Sequence, residues 1–180
     1  MCITSAHCSI EVLAYSANRN DTARYGHVKL NTVPVWQASW GGRFPRFRGV
    51  NAILVDAFQC SVQESRLFDT FFDQNAATEL SNYLRGVNRG KIIVGVSADD
   101  AVKLLANALD TLRVIGADVS DVQFRGSFGF VAQKGFPSLY FAKFLLRQKA
   151  SQNNHTSLSP LQVRSVTEND TLLAYMYLPN

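Results

Sequence analysis

The chain lacks any apolar run near the roughly 18 residues that a membrane-spanning helix needs, so no membrane span is expected. Its first residues, MCITSAHCSIEV, have neither the basic start nor the apolar core of a signal peptide. Charged residues are scarce, at 18% of 180 positions, which argues against disorder across the whole chain. There are three cysteines, Cys2, Cys8 and Cys60, and an odd count leaves one unpaired or joined to another chain. No CxxC occurs, and His7, His27 and His155 are far apart in sequence, so a zinc site is not expected. No GxSxG elbow, P-loop, HExxH or dinucleotide-binding glycine pattern is present. Asp99 and Asp100 are adjacent and cannot straddle a glycosidic bond as a hydrolase requires. Asp56 and Asp69 fall on two strands of one hairpin, where they either approach each other or make ordinary turn and strand-end hydrogen bonds. Neither an enzyme nor a cofactor is expected.

What is present suits one domain with a substantial core: 47% of the residues are hydrophobic. The net charge is +4, and only Arg43, Arg46 and Arg48 cluster. No nucleic-acid reader motif accompanies them, so nucleic acid is not expected as a partner. The sequons at Asn20, Asn154 and Asn169 are candidate N-glycosylation sites and hint at an extracellular chain. The expectation is a secreted protein, or the extracellular part of a larger one whose leader lies upstream.

The chain is organised around Lys91–Gly116. Lys91–Ser97 is a β-branched run that reads as a strand buried on both faces. Val102, Leu105, Leu109, Leu112 and Ile115 form the stripe of an amphipathic helix, with Asp99 or Asp100 as its cap and Gly116 as its stop. Two carboxylates thus sit at a strand's C-terminal end, which is a common ligand edge in open α/β sheets. Before this stretch, Ser9–Tyr15 and Tyr25–Leu30 read as a hairpin with a long polar loop. Pro34 confines Val33–Trp36 to an edge or a strand start. In Gln37–Arg48, Trp40, Phe44 and Phe47 either cover the core or, interleaved with arginines, stack on bases or sugars. Gly49–Asp56 and Val62–Asp69 read as an antiparallel pair, and a helix carries Ala76, Leu80, Tyr83 and Leu84 on one face up to Gly86. Ser127–Gln133 alternates as a last strand. From Pro137 the chain reads as an appendage, helical over Leu139–Lys149 and polar beyond.

Four segments in order, RGVNAILVD (Arg48–Asp56), LFDTF (Leu67–Phe71), GVSADDAVKLLANALDTLRVIGA (Gly95–Ala117) and VQFRGSFGFVAQKG (Val122–Gly135), resemble the interleukin-like EMT inducer (ILEI/PANDER-like) domain family. The resemblance covers roughly residues 9–136 and sets 137–180 apart. It implies an α+β fold: a β-β-α sandwich of two mainly antiparallel sheets with flanking helices. It also implies a non-enzymatic module. Members of the family stand alone as secreted cytokine-like proteins, and one forms the carbohydrate-binding stem domain of protein O-mannose β-1,2-N-acetylglucosaminyltransferase. The sugar-holding positions of that stem look like Arg48, Asp99 and Arg125 here. Two or three charged hydrogen bonds, less the cost of association, correspond to affinity on the order of millimolar, useful when multivalent.

The chain departs from the family pattern in several places. Gly126 stands where the motif arginine is usually followed by Asp, and Phe128 stands where Trp is usual. Cys2 and Cys8 resemble the first two cysteines of the cytokine-like members, but the usual partners are absent. Cys60 lies in a hairpin turn where the family does not usually place one, and a Cys8–Cys60 bridge is one pairing that distances must decide. Two expectations follow. The first is a lectin-like module binding a glycan or glycoprotein through Arg48, Asp99 and Arg125. The second is a cytokine-like protein meeting a protein receptor through an exposed aromatic patch of Trp36, Trp40 and Phe44, or a spacer domain of a larger cell-surface protein with no ligand of its own. A purely structural role for Asp99 as helix cap, with Arg125 as its ion-pair partner, stands beside the first.

Overall fold

The computed structural model describes residues 8, 10–14, 25–39, 47–56, 59–124, 126–135, 143–147 and 161–164, the last two stretches as backbone. Among the described residues, nine strands form two sheets. Strands β1 (Ile10–Ala14), β2 (Tyr25–Leu30), β3 (Val33–Ser39) and β9 (Leu161–Arg164) lie in the order β3-β2-β1-β9. Strands β4 (Gly49–Asp56), β5 (Ser61–Phe68), β6 (Ile92–Ala98), β7 (Ser127–Gln133) and β8 (Lys143–Arg147) lie in the order β5-β4-β6-β7-β8. Every pairing is antiparallel. With helices α1 (Ala76–Gly86) and α2 (Leu109–Val114), this is the α+β sandwich of two antiparallel sheets that the resemblance implies.

Two cores explain why β6 is apolar without alternation. Ile92, Val94 and Val96 point between the sheets, against Val12, Val28 and Trp36. Ile93 points the other way, with Leu80 and Leu84 of α1, Leu112 of α2, and Phe128 and Phe130 of β7. The larger sheet is therefore covered on both faces, by the smaller sheet and by the helices. Gly95 makes this packing feasible, because a Cβ there would lie 2.1 Å from the Phe130 ring. Lys134 Nζ closes α1 by donating to the carbonyls of Leu84 (2.6 Å) and Arg85 (3.1 Å), where the helix leaves acceptors unused.

A disulfide joins Cys8, just before β1, to Cys60 in the β4–β5 turn, with Cα atoms 5.2 Å apart. It pins the two sheets together across a sequence separation of 52 residues.

Three sequence readings are corrected. The helix expected from Val102 is shorter: a 3-10 turn covers Ala106–Ala108, and α2 begins only at Leu109. Residues 101–104 are held elsewhere, since Ala101 accepts from Thr70 Oγ1 (2.7 Å) and Leu104 N donates to the Thr70 carbonyl (2.8 Å). Second, Lys143–Arg147 is a strand rather than part of a helix, because β7 offers a free edge whose ladder satisfies its backbone. Third, β6 is antiparallel to both neighbours, so the ligand-edge rule of open parallel sheets does not apply to it. Asp56 and Asp69 follow the second of their two alternatives: they lie at opposite ends of the β4–β5 hairpin, and each accepts turn hydrogen bonds, Asp56 from Gln59 N and Asp69 from Phe71 N and Phe72 N. Asp56 faces Ser61 beside the turn, whereas Asp69 follows Phe68, the partner of Val50.

Candidate functional site

The corner beyond β6 is built from three short segments. The first is the start of β4. Gly49 has φ +104, and a Cβ there would lie 2.1 Å from the Phe68 carbonyl oxygen, so glycine is needed for β4 to begin this close to the end of β5. This approach delivers Arg48 to Asp69. The guanidinium donates through Nε (3.0 Å) and Nη2 (2.7 Å) to the two carboxylate oxygens.

The second segment is the turn after β5, which Asp69 organises. Its Oδ1 also accepts from the backbone N–H of Phe71 (3.3 Å) and Phe72 (3.2 Å). The Phe71 ring lies between two cations, 4.7 Å from the Arg48 guanidinium carbon and 4.5 Å from Lys103 Nζ. Phe72 is also near Arg48, at 5.6 Å, yet 76% of it is exposed.

The third segment is Asp99–Asp100. Asp99 has φ 59, a left-handed conformation rare outside glycine but tolerated by Asp and Asn. Both residues are buried. Asp100 Oδ1 accepts from Val102 N at 3.0 Å, an Asx turn rather than a helix cap. Its Oδ2 makes no hydrogen bond among the described residues. Hydrogen bonding to Asp69 raises the Arg48 guanidinium above its ordinary pKa against the opposing effect of burial, and the charges of Asp69, Asp99 and Asp100 add to the rise. Three carboxylates therefore act on one guanidinium. The corner is rich in acceptors, and one buried acceptor is unspent among the described residues, a state that costs free energy unless a donor reaches it.

Of the three residues singled out in the sequence, Arg48 and Asp99 share this corner, and Arg125 lies outside the described residues. Much of Arg48 is committed to Asp69, a pairing the sequence reading missed. Two further residues belong to the corner and escaped it, Phe71 and Phe72. Their signal was the pair of phenylalanines following Asp69-Thr70, at the end of a strand that had been located. Phe128, at the family's Trp position, is fully buried in the helix-side core, so the change from Trp removes no surface ring. Gly126 is buried too.

Trp36 is corrected as a member of an exposed patch. It is buried and meets Phe47 edge-on at 5.8 Å. Trp40 and Phe44 lie outside the described residues, as do Asn20, Asn154 and Asn169. Among the described residues, no cluster of three or more His, Cys, Asp or Glu is placed to hold a metal ion, and no helix is long and apolar enough to cross a membrane.

Residues 48–136 match the sequence profile of the family described as Interleukin-like EMT inducer. No curated protein matches the chain.

Proposed function

Because the chain contains a domain of the interleukin-like EMT inducer family, residues 48–136, we propose that it is an extracellular, non-enzymatic module that binds a glycan or glycoprotein at the Asp99–Asp100 corner. The observation that carries this reading is the partly exposed Arg48 guanidinium, under the charges of Asp69, Asp99 and Asp100 and 5.6 Å from the exposed ring of Phe72. The Arg48 side chain is 17% exposed, and the guanidinium edge not committed to Asp69 can donate to a sugar hydroxyl. Phe72, exposed on the same corner, offers a ring for the apolar face of the sugar. The Cys8–Cys60 disulfide supports an oxidising, extracellular setting.

The test is binding of the multimerised chain to an array of glycans, beside Asp100→Asn, Asp99→Asn and Arg125→Ala. Asparagine keeps the Asx turn at 100 and tolerates the left-handed backbone at 99. Each carboxylate change is expected to weaken binding on the order of tenfold or more, the effect of one charged hydrogen bond. Arg125→Ala is expected to act in the same direction. A well-folded wild type that binds no glycan overturns the reading.

A cytokine-like role through protein contact is the second reading, favoured by the exposure of Phe72. It predicts that Phe72→Ser abolishes binding to a receptor stripped of its glycans, whereas Asp100→Asn does not.

A further inference from the structure

Strand β5 is the outermost strand of the larger sheet, and β4 is its one partner among the described residues. Its outer side is open: Val62, Gln63, Ser65, Arg66 and Leu67 are all exposed. An open edge of eight residues offers N–H and C=O groups to another strand, and proteins usually block such edges with proline, bulges or charge. Strand β3, an edge of the smaller sheet, is blocked in this way. It carries Pro34, and its ladder to β2 is interrupted between Val28 and Lys29. Strand β5 has no proline, and its pairing with β4 is regular from Glu64 to Phe68, the bulge falling nearer the turn.

What β5 has instead is one charge of each sign, two residues apart. Glu64 and Arg66 share a face of the sheet, where Arg66 Nε meets Glu64 Oε1 at 2.5 Å and the guanidinium carbon lies 4.8 Å from the Tyr83 ring of α1. This pattern is self-complementary. When two identical strands pair antiparallel, only every second residue turns its N–H and C=O outward, so odd-numbered residues face odd and even face even. Few registers remain. With Glu64 or Arg66 on the two-fold axis, like charges face each other. With Ser65 on the axis, Glu64 of each copy faces Arg66 of the other, and the four charges alternate in sign. In that register Leu67, 45% exposed, comes opposite Gln63 of the other copy.

We propose that β5 is a self-association edge: two copies of this chain join by antiparallel pairing of β5 with β5 about Ser65, making one continuous sheet. The interface is isologous, so every contact occurs twice. Opposite charges directly across a strand pair are favourable and like charges unfavourable, so Glu64 and Arg66 choose the register and the partner together. The interface is one strand wide and largely polar, which makes it small, and the dimer therefore forms and separates with concentration. No residue of the Asp99–Asp100 corner takes part, and the proposal does not rest on the reading given to that corner.

The test is sedimentation equilibrium of the full chain from micromolar to millimolar concentration. Every sample carries Cys2→Ser, so that a bridge between copies through the odd cysteine does not contribute. The mass of this parent chain is expected to rise from about 20.0 kDa toward twice that value. Glu64→Arg and Arg66→Glu each set like charges opposite one another, and each alone is expected to weaken the dimer at least tenfold. An equal mixture of the two restores both opposite-charge pairs and is expected to dimerise as the parent does. A damaged fold is not rescued by mixing, so recovery in the mixture separates pairing from misfolding. Hydrogen exchange of the parent gives a second reading that needs no variant: β5 amides are expected to slow as concentration rises, and β3 amides not. A parent that stays at monomer mass overturns the proposal and leaves the edge to a strand of a different protein. So does a dimer that both variants keep, a mixture no stronger than either variant alone, or β5 exchange that is indifferent to concentration.

Discussion

The two ends of strand β6 handle charge in opposite ways. At the Lys91 end, the Asp56 carboxylate is fully used: Lys91 Nζ and Gln63 Nε2 reach Oδ2 at 2.8 and 3.1 Å, and Gln59 N reaches Oδ1 at 2.9 Å. The nearby Cys8–Cys60 bridge ties this end to the smaller sheet. At the far end, two buried aspartates follow the strand, one of them with a left-handed backbone, and an oxygen of Asp100 is left without a hydrogen bond among the described residues. The first arrangement holds a hairpin in register. The second carries an unfavourable group that a hairpin does not need, and such groups collect where binding occurs.

Four changes separate the two ends, beginning with the largest expected effect. Replacing Cys8 and Cys60 together by Ser releases a loop whose closure is worth about 4 kcal/mol in the chain-entropy description. Thermal unfolding of the variant is expected at a clearly lower temperature, with the corner unaltered in any glycan assay run below that temperature. Gly49→Ala acts on the other end. Its Cβ would meet backbone atoms that cannot step aside, so a loss of about 2–3 kcal/mol in denaturant unfolding is expected, together with displacement of Arg48.

The third comparison sets Lys91→Met against Asp100→Asn. Lys91→Met removes one partner of a partly exposed pair and is expected to lower stability by about 1 kcal/mol or less. Asp100→Asn removes a buried charge with an unbonded oxygen and is expected to leave stability unchanged or raise it while lowering binding. If both lower stability equally, the ends do not differ in the way described.

The smallest effect lies away from both ends. Burial alone would raise the Glu11 carboxyl, but hydrogen bonds from His27 (2.7 Å) and Lys29 (3.2 Å) outweigh it and hold the group below its ordinary value. The unfolded chain therefore takes up this proton at higher pH than the folded one. The Glu11 contribution is present above the ordinary carboxylate range and is lost as pH falls through the folded value. Urea unfolding at pH 6 and pH 3 should show this component in the wild type and not in Glu11→Gln.

Most of the larger sheet was legible in the sequence because its strands are runs too apolar and too short to be anything else. Gly49–Asp56 and Ser127–Gln133 were located to the residue. The corner was half legible. Asp99 and Asp100 stood out beside a buried strand, but the pairing of Arg48 with Asp69 depends on the register of a hairpin. Once β4 and β5 are laid antiparallel, the residue preceding one must face the residue following the other. The helix over Val102–Ile115 was over-read because its stripe continues through residues whose backbone groups are taken by Thr70, a tertiary competitor that periodicity cannot reveal. Lys143–Arg147 was misread for a related reason, since its basic and apolar residues suit a helix until a free strand edge is available.

The pairing of β1 with β9, with Glu11 opposite Arg164, sets an order of events during synthesis. Strands β4 to β7 and helices α1 and α2 are complete well before β9 leaves the ribosome, so the half of the protein that carries the Asp99–Asp100 corner can assemble early. Strand β1 must wait for β9, the last of the described strands, before its second edge is covered. Until then β1 presents unpaired backbone to its surroundings, the situation in which nascent chains most need chaperone protection.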